Sequence, residues 1–186
     1  EADTFVMINS VDEVLARPHK IQKGTSLSFS CYDVPAYTPW NCVAETWMLR
    51  NVYEGLVYCY MGRAEDVRPL IAESYTHSED YLTWVFQIRE GVYFTDGTVC
   101  DAAAICASWD HFYSVAPASF INLNITAWEA TAPMELTVKL SAPCGYIESA
   151  FESLYILSPE AMTLYGPNDN RAAISTGPYF ISGYTP

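Results

Sequence analysis

Between Thr83 and Arg89 apolar and polar positions alternate, with Trp84, Phe86 and Ile88 on one side of an extended chain and Thr83, Gln87 and Arg89 on the other. A period of two marks a strand with one buried face. The same rhythm returns where Leu136, Val138 and Leu140 alternate with Thr137, Lys139 and Ser141. Shorter β-branched and aromatic runs at 4–8 and 26–32 also read as strands. Val92 and Phe94 carry a further short strand up to Asp96-Gly97, a turn pair.

Elsewhere the spacing is that of a helix. Leu49, Val52, Tyr53 and Leu56 fall at i, i+3, i+4 and i+7, which predicts a helix over about 42–57. Asp101 stands as the N-cap of a second helix whose apolar face is Ile105, Trp109, Phe112 and Tyr113. Ile147, Ala150, Phe151 and Leu154 form another stripe. Ser158-Pro159-Glu160 places a cap before a first-turn proline, and Gly166 is the natural stop. Residues 11–24, with Pro18, read as a connector with one helical turn at 12–16. Pro35 and Pro39 make 32–41 irregular. Repeats and low-complexity tracts are absent, and the mixture of strands and helices predicts an α/β or α+β domain.

Composition narrows the function. The chain has 186 residues, 51% of them hydrophobic and 15% aromatic, enough for a packed domain or one lobe of a longer protein. Against 9 basic residues stand 22 acidic ones, a formal charge of -13, so a phosphate backbone would be repelled and nucleic acid is not an expected partner. The acidity suits a solvated, secreted-type surface or a cationic ligand. No apolar run reaches the roughly 18 residues of a membrane span. The opening Glu1-Ala2-Asp3 lacks a basic and an apolar signal region, so any signal segment is expected to be gone from this sequence. The six cysteines, at 31, 42, 59, 100, 106 and 144, would allow up to three disulfides. Buried thiols fit the apolar runs equally well. No Cys-x-x-Cys occurs, so a zinc ribbon or a redox pair is unsupported.

Candidate chemistry gathers first in Thr76-His77-Ser78-Glu79-Asp80. A base, a hydroxyl and two acids are present, yet catalytic groups converge from distant segments, and neighbours in one polar stretch read as a solvated turn. Gly-x-Ser-x-Gly and the phosphate-loop pattern are absent. His19, His77 and His111 are far apart and belong to no metal-ligand spacing. Glu54, in "NVYEGLV", is an acid within an apolar run, and backbone or an Arg would satisfy it. Tyr32, Tyr37, Trp40 and Phe120 are aromatics in irregular segments, where binding walls form.

An ordered set of segments carries a resemblance. "NVYEGLV" (51–57), "PLIAESYTHSEDYLTWVFQIREGVYFTDGT" (69–98), the capped helix from Asp101 and "STGPYF" (175–180) resemble, in order and spacing, the peptide/nickel-binding family of extracytoplasmic solute-binding proteins of ABC transporters. The resemblance covers about Ser26 to Tyr184. It implies an α/β lobe, the N-terminal half of a two-lobed periplasmic-binding-protein-like fold, with a mixed sheet and flanking helices. Residues 1–25 would be an N-terminal extension with a first strand and connector, and 26–186 the lobe itself, ending before the second lobe. The implied ligand wall is Tyr32, Tyr37, Thr38, Trp40, Phe120 and Asn122, with no catalytic residue, no cofactor and no resident metal. Peptide is the expected ligand, and nickel or a metal chelate the alternative within the family. A secreted hydrolase or adhesion domain is the alternative outside it. A membrane permease and a C-terminal lobe are the implied partners. The implied place is outside the cytoplasm, in a periplasm or as a cell-surface lipoprotein. Two departures stand out: Tyr81 occupies the family's turn glycine, so the hairpin should close differently, and Ser175 replaces the first glycine of Gly-Thr-Gly-Pro-Tyr.

Overall fold

The structure, a computed structural model, describes residues 5–7, 26–27, 38–40, 46–60 and 63–181. Strands β1 (Phe5–Met7) and β2 (Ser26–Leu27) come first, then helix α1 (Thr46–Val52). Strands β3 (Val57–Cys59), β4 (Val67–Pro69), β5 (Ala72–His77) and β6 (Thr83–Ile88) follow. Next are helices α2 (Ala102–Val115) and α3 (Ala118–Ile121) and strands β7 (Ile125–Ala132) and β8 (Glu135–Leu140). Helices α4 (Ile147–Ala150) and α5 (Pro159–Tyr165), a 3-10 turn at Asn170–Ala172 and strand β9 (Tyr179–Ile181) complete the order. The chain divides into two compact units, one comprising Glu1–Tyr53, Gly91–Cys100 and Leu157–Pro186, the other Glu54–Glu90 and Asp101–Ile156.

In the first unit β1 is the middle strand of an antiparallel sheet ordered β2-β1-β9, with Phe5 opposite both Leu27 and Ile181. Helix α1 packs against β9. Gly177 allows that approach, since an added Cβ there would lie 2.3 Å from the Val52 carbonyl oxygen. The Asp96-Gly97 turn forms as expected, with Gly97 at φ 90° in the left-handed region. Asp96 also does something the sequence did not announce. One carboxylate oxygen accepts from the Thr98 amide (2.9 Å) and hydroxyl (2.7 Å), and the other accepts from the Ser158 hydroxyl at 2.6 Å. Ser158 in turn caps α5 by accepting from the Ala161 amide at 3.2 Å, so the hairpin turn and the helix start share one network.

Helix α1 stops at Val52, short of the predicted 57, because Glu54 runs extended and pairs with Ile156, whose amide donates to the Glu54 carbonyl at 3.0 Å. Glu54 opens the second unit, built on an antiparallel four-stranded sheet ordered β5-β6-β8-β7. Trp84 lies opposite Val138 and Phe86 opposite Leu136, which sets both predicted alternations facing the same core. Trp84, Phe86, Ile88, Leu136, Val138 and Leu140 are all buried, each contributing about 1.5–3 kcal/mol of apolar burial. Asp101 caps α2 by accepting from the Ala104 amide at 2.8 Å. Ile105, Trp109 and Phe112 are buried as predicted, while Tyr113 is 40% exposed. The Trp109 indole donates to the Leu154 carbonyl at 3.3 Å, and its ring stacks on Phe151 at 6.5 Å.

The stripe at 147–154 is helical for only one turn. After α4 the chain tightens into i→i+3 turns, Glu152 to Ser149 (3.2 Å) and Ser153 to Ala150 (2.9 Å), yet Phe151 and Leu154 still reach the core. The β5–β6 hairpin closes through Tyr81 at φ 59°, a left-handed conformation reached without glycine. Stacking of the Tyr81 ring on His77 at 4.2 Å, and a bond from the Trp84 indole to the Tyr81 carbonyl at 3.2 Å, offset that strain. Cys59, Cys100, Cys106 and Cys144 are thiols rather than disulfides, the first two buried and the others half-buried. Burial, reinforced by Asp110, pushes the Cys106 thiol up to about 11.

Candidate ligand-binding site

Within the second unit a hollow of about 430 Å³ opens between the end of β3, helix α3 and the segment around α4. Cys59, Ser119, Asn122, Tyr146, Ser149 and Glu152 bring polar atoms to its wall, and Leu154 adds apolar surface. Each piece is held from behind. Helix α3 is anchored by Phe120, which is 0% exposed and packs edge-on against Trp109 (5.8 Å), Phe112 (5.3 Å) and Tyr113 (5.8 Å), and against Trp128 at 4.9 Å. That anchor leaves Asn122, the helix C-cap, exposed at the hollow. Helix α4 is held to β5 by a hydrogen bond from the Tyr75 hydroxyl to the Glu148 carboxylate. Burial first, and then that bond, raise the Tyr75 hydroxyl well above its ordinary value. The Cys59 thiol donates to the Ser149 carbonyl at 3.7 Å.

Glu152 is the acid of this site. Only 8% exposed, it accepts the Cys59 amide at 3.1 Å. Across the hollow Tyr146, 58% exposed, donates its hydroxyl to the Asn122 carbonyl at 3.4 Å, and the Ser149 hydroxyl donates to the Tyr146 carbonyl at 3.0 Å. The result is a concave, mostly apolar surface with a few fixed polar groups, the ordinary constitution of a small-molecule site.

Of the expected wall residues, Asn122 lines this hollow, while Phe120 sits behind it as a core anchor and presents no surface of its own. Thr38 and Trp40 belong to the first unit, where they share one turn. Thr38 is fully buried and Trp40 half-buried, its indole donating to Asn168 at 3.0 Å. Tyr32 and Tyr37 lie outside the described residues. Cys59, Tyr146, Ser149 and Glu152 were not anticipated. One signal pointed to Glu152: it is an acid inside an apolar stripe, the feature that drew notice to Glu54.

The polar stretch at 76–80 satisfies itself. The Ser78 hydroxyl donates to Asp80 at 2.5 Å and accepts the Thr83 amide at 3.0 Å, and Asp80 also accepts the Leu82 amide at 3.1 Å. His77 stacks on Tyr81 and lies 4.8 Å from Trp84. Among the described residues no group of three or more His, Cys, Asp or Glu is placed to hold a metal ion. No helix among them is long and apolar enough to cross a membrane.

Solved substrate-binding proteins share this fold. The oligopeptide-binding protein AppA from Bacillus subtilis, in complex with a nonapeptide, superposes with a TM-score of 0.70 at 18% identity, over 84% of this chain and 33% of its own. NikA from Brucella suis, in complex with Fe(III)-EDTA, gives 0.63 at 22% identity over 97% of this chain and 32% of its own. The fold is thus periplasmic-binding-protein-like. Sequence takes the assignment further. The glutathione-binding protein GsiB of Escherichia coli O1:K1 is 33% identical over 137 residues, covering 70% of this chain and 26% of GsiB. With residues 66–186 matching the bacterial extracellular solute-binding proteins, family 5 (middle region), the chain belongs to that family. It spans about a quarter of the length of the curated relatives it matches, 26%.

Proposed function

We propose that this chain is part of a non-enzymatic receptor that captures a short peptide outside the cytoplasmic membrane and delivers it to an ABC permease. The family match carries the reading, and the relative at 33% identity is named for binding glutathione, itself a tripeptide. Residues 26–186 are proposed as the N-terminal lobe and 1–25 as an N-terminal extension with a first strand and connector, and a second lobe would close over the ligand by a hinge motion. Tyr32, Tyr37, Thr38, Trp40 and Asn122 are the residues proposed to meet ligand. Phe120 supports Asn122 from the core. A periplasmic or lipoprotein-anchored location belongs to the same proposal.

Calorimetry on a full-length receptor containing this chain tests it. Glutathione and trialanine should bind with micromolar affinity, Trp40→Ala should weaken that binding by about 1–3 kcal/mol, and Ni²⁺ alone should not compete. The 186-residue chain by itself should bind no better than millimolar, about -4 kcal/mol, because one lobe cannot exclude water from both sides of a ligand. Tight binding of Ni²⁺ or a nickel chelate with no peptide binding would move the protein to metal transport. Turnover of a model ester or peptide would overturn the receptor reading altogether.

A further inference from the structure

We propose that another hollow of the second unit, sharing no lining residue with the one at Glu152, binds the ring of a neutral sugar. The proposal goes beyond the receptor reading and does not rest on it. Tyr113 from the last turn of α2, Ile121 from α3, Asn124, Thr126 and Trp128 on β7, and Ser141 after β8 enclose about 500 Å³. None of the lining residues carries a formal charge. An ion entering would lose hydration without meeting a counter-charge, which disfavours cations and anions alike. Tyr113 is 40% and Ile121 56% exposed, so the hollow offers open aromatic and aliphatic surface above the buried Phe120.

Two aromatic rings form the platform, those of Tyr113 and Trp128, 5.6 Å apart and inclined at 58°. Trp128 is fixed before any ligand arrives. Its indole donates to Asp110 at 2.9 Å, and its ring packs on Phe120 at 4.9 Å. A platform already held costs little further ordering on binding. The rim is polar but neutral. Asn124 sits in a left-handed turn at φ 60°, with its carbonyl accepting the Ser141 amide at 2.8 Å. Its side-chain amide donates to the Ala142 carbonyl at 3.4 Å. The Asn124 carboxamide oxygen and the Tyr113 hydroxyl have no hydrogen-bond partner among the described residues. The Thr126 hydroxyl donates to the Lys139 carbonyl at 3.1 Å and keeps its acceptor positions. A purely apolar ligand would leave these groups covered and unsatisfied. A pyranose brings an apolar C–H face for the electron-rich face of an aromatic ring, and a rim of hydroxyls for Tyr113, Asn124 and Thr126. A free sugar and the end of a longer glycan share that chemistry.

The test uses the 186-residue chain, NMR of amide and indole N–H groups, and ring-sized probes. These are the methyl glycosides of glucose, galactose and mannose, cyclohexanol with its single hydroxyl, and tetramethylammonium, a cation that aromatic rings attract. At least one glycoside should shift the Trp128 indole and the Asn124 side-chain amide, and bind several-fold more tightly than cyclohexanol or tetramethylammonium. Tyr113→Ala, at an exposed position, should weaken that glycoside about tenfold. Tyr113→Phe removes the hydroxyl alone and should weaken it about threefold while leaving cyclohexanol unchanged. Asn124→Gly keeps the left-handed turn without the carboxamide, should also weaken the glycoside, and gives the answer even if Tyr113→Ala fails to fold. A tetrasaccharide of the preferred sugar separates the two sources: tighter binding than the glycoside assigns a glycan, equal or weaker binding a free sugar. No shift with any glycoside, shifts confined to other surfaces, equal or tighter binding of cyclohexanol or tetramethylammonium, or an unchanged glycoside affinity in the folded variants would overturn the inference. The receptor reading fails separately, by a full-length receptor that captures no peptide.

Discussion

The turn at Ser78–Thr83 and the hollow at Asn122 and Glu152 both gather acids, hydroxyls and aromatic rings within the second unit, yet they are assembled in opposite ways. In the turn, every polar partner lies within five residues, and the groups bond to one another. In the hollow, Cys59, Asn122, Tyr146 and Glu152 arrive from three separated segments, each fixed by core packing behind it: Phe120 under α3, the Tyr75–Glu148 bond under α4. Polar groups that satisfy each other locally have little left for a ligand. The hollow's groups also bond to one another, Cys59 to Glu152 and Tyr146 to Asn122, but across segments distant in sequence that the scaffold brings to one space.

Gly55→Ala should break the hollow's side of this comparison most severely. The added Cβ would lie 2.3 Å from the Phe151 carbonyl oxygen and 2.6 Å from that of Glu152, both main-chain atoms that cannot swing aside. A loss of roughly 3 kcal/mol or more is expected in denaturant unfolding, with displacement of Glu152. A loss below about 1 kcal/mol would show that this close approach is relaxed in solution.

On the turn's side the effect should be smaller and confined to stability. Ser78→Ala removes the hydroxyl that bonds Asp80 and the Thr83 amide, which should cost about 1–2 kcal/mol and leave ligand affinity unchanged. Replacing His77, Glu79 and Asp80 together by Ala should give a folded protein with a lowered melting temperature and normal affinity in the full-length receptor. A triple variant that folds but no longer takes ligand would erase the distinction between turn and site.

Acid titration sharpens the same distinction with the least perturbation. The Ser78 hydroxyl first, and the Leu82 amide second, hold the Asp80 carboxyl below its ordinary value of 3.8. A depressed folded value means that the contribution of Asp80 is fully present above 3.8 and is lost as the pH falls through the depressed value. The Leu82 amide resonance should report a midpoint below 3.8, and a midpoint at or above it would mean the turn bonds are not formed in solution.

Much of the scaffold was legible beforehand because its causes are local or periodic. Alternation at 83–89 and 136–141 places Trp84, Phe86, Leu136 and Val138 on a buried face whatever the strand order. Asp101 and Ser158 cap the helices they precede, because a cap needs only a short side chain and the next turn's amides. The family pattern was readable for a related reason: "NVYEGLV" and "STGPYF" contain glycines at 55 and 177 where the chain passes too close to a carbonyl for any Cβ.

Tertiary contact decided the rest. The stripe Leu49–Leu56 kept its buried side chains, but its helix ended at Val52, since pairing with Ile156 extends Glu54 and nothing local encodes a partner a hundred residues away. Phe120 looked like a binding wall from its loop context and became a core anchor, because only the fold brings Trp109, Phe112 and Trp128 around it. Glu152 carried a faint trace in the sequence, an acid in an apolar run. Its proximity to Cys59 and Asn122 did not, since a site assembled from distant segments exists only once the sheet and helices have fixed where those segments end.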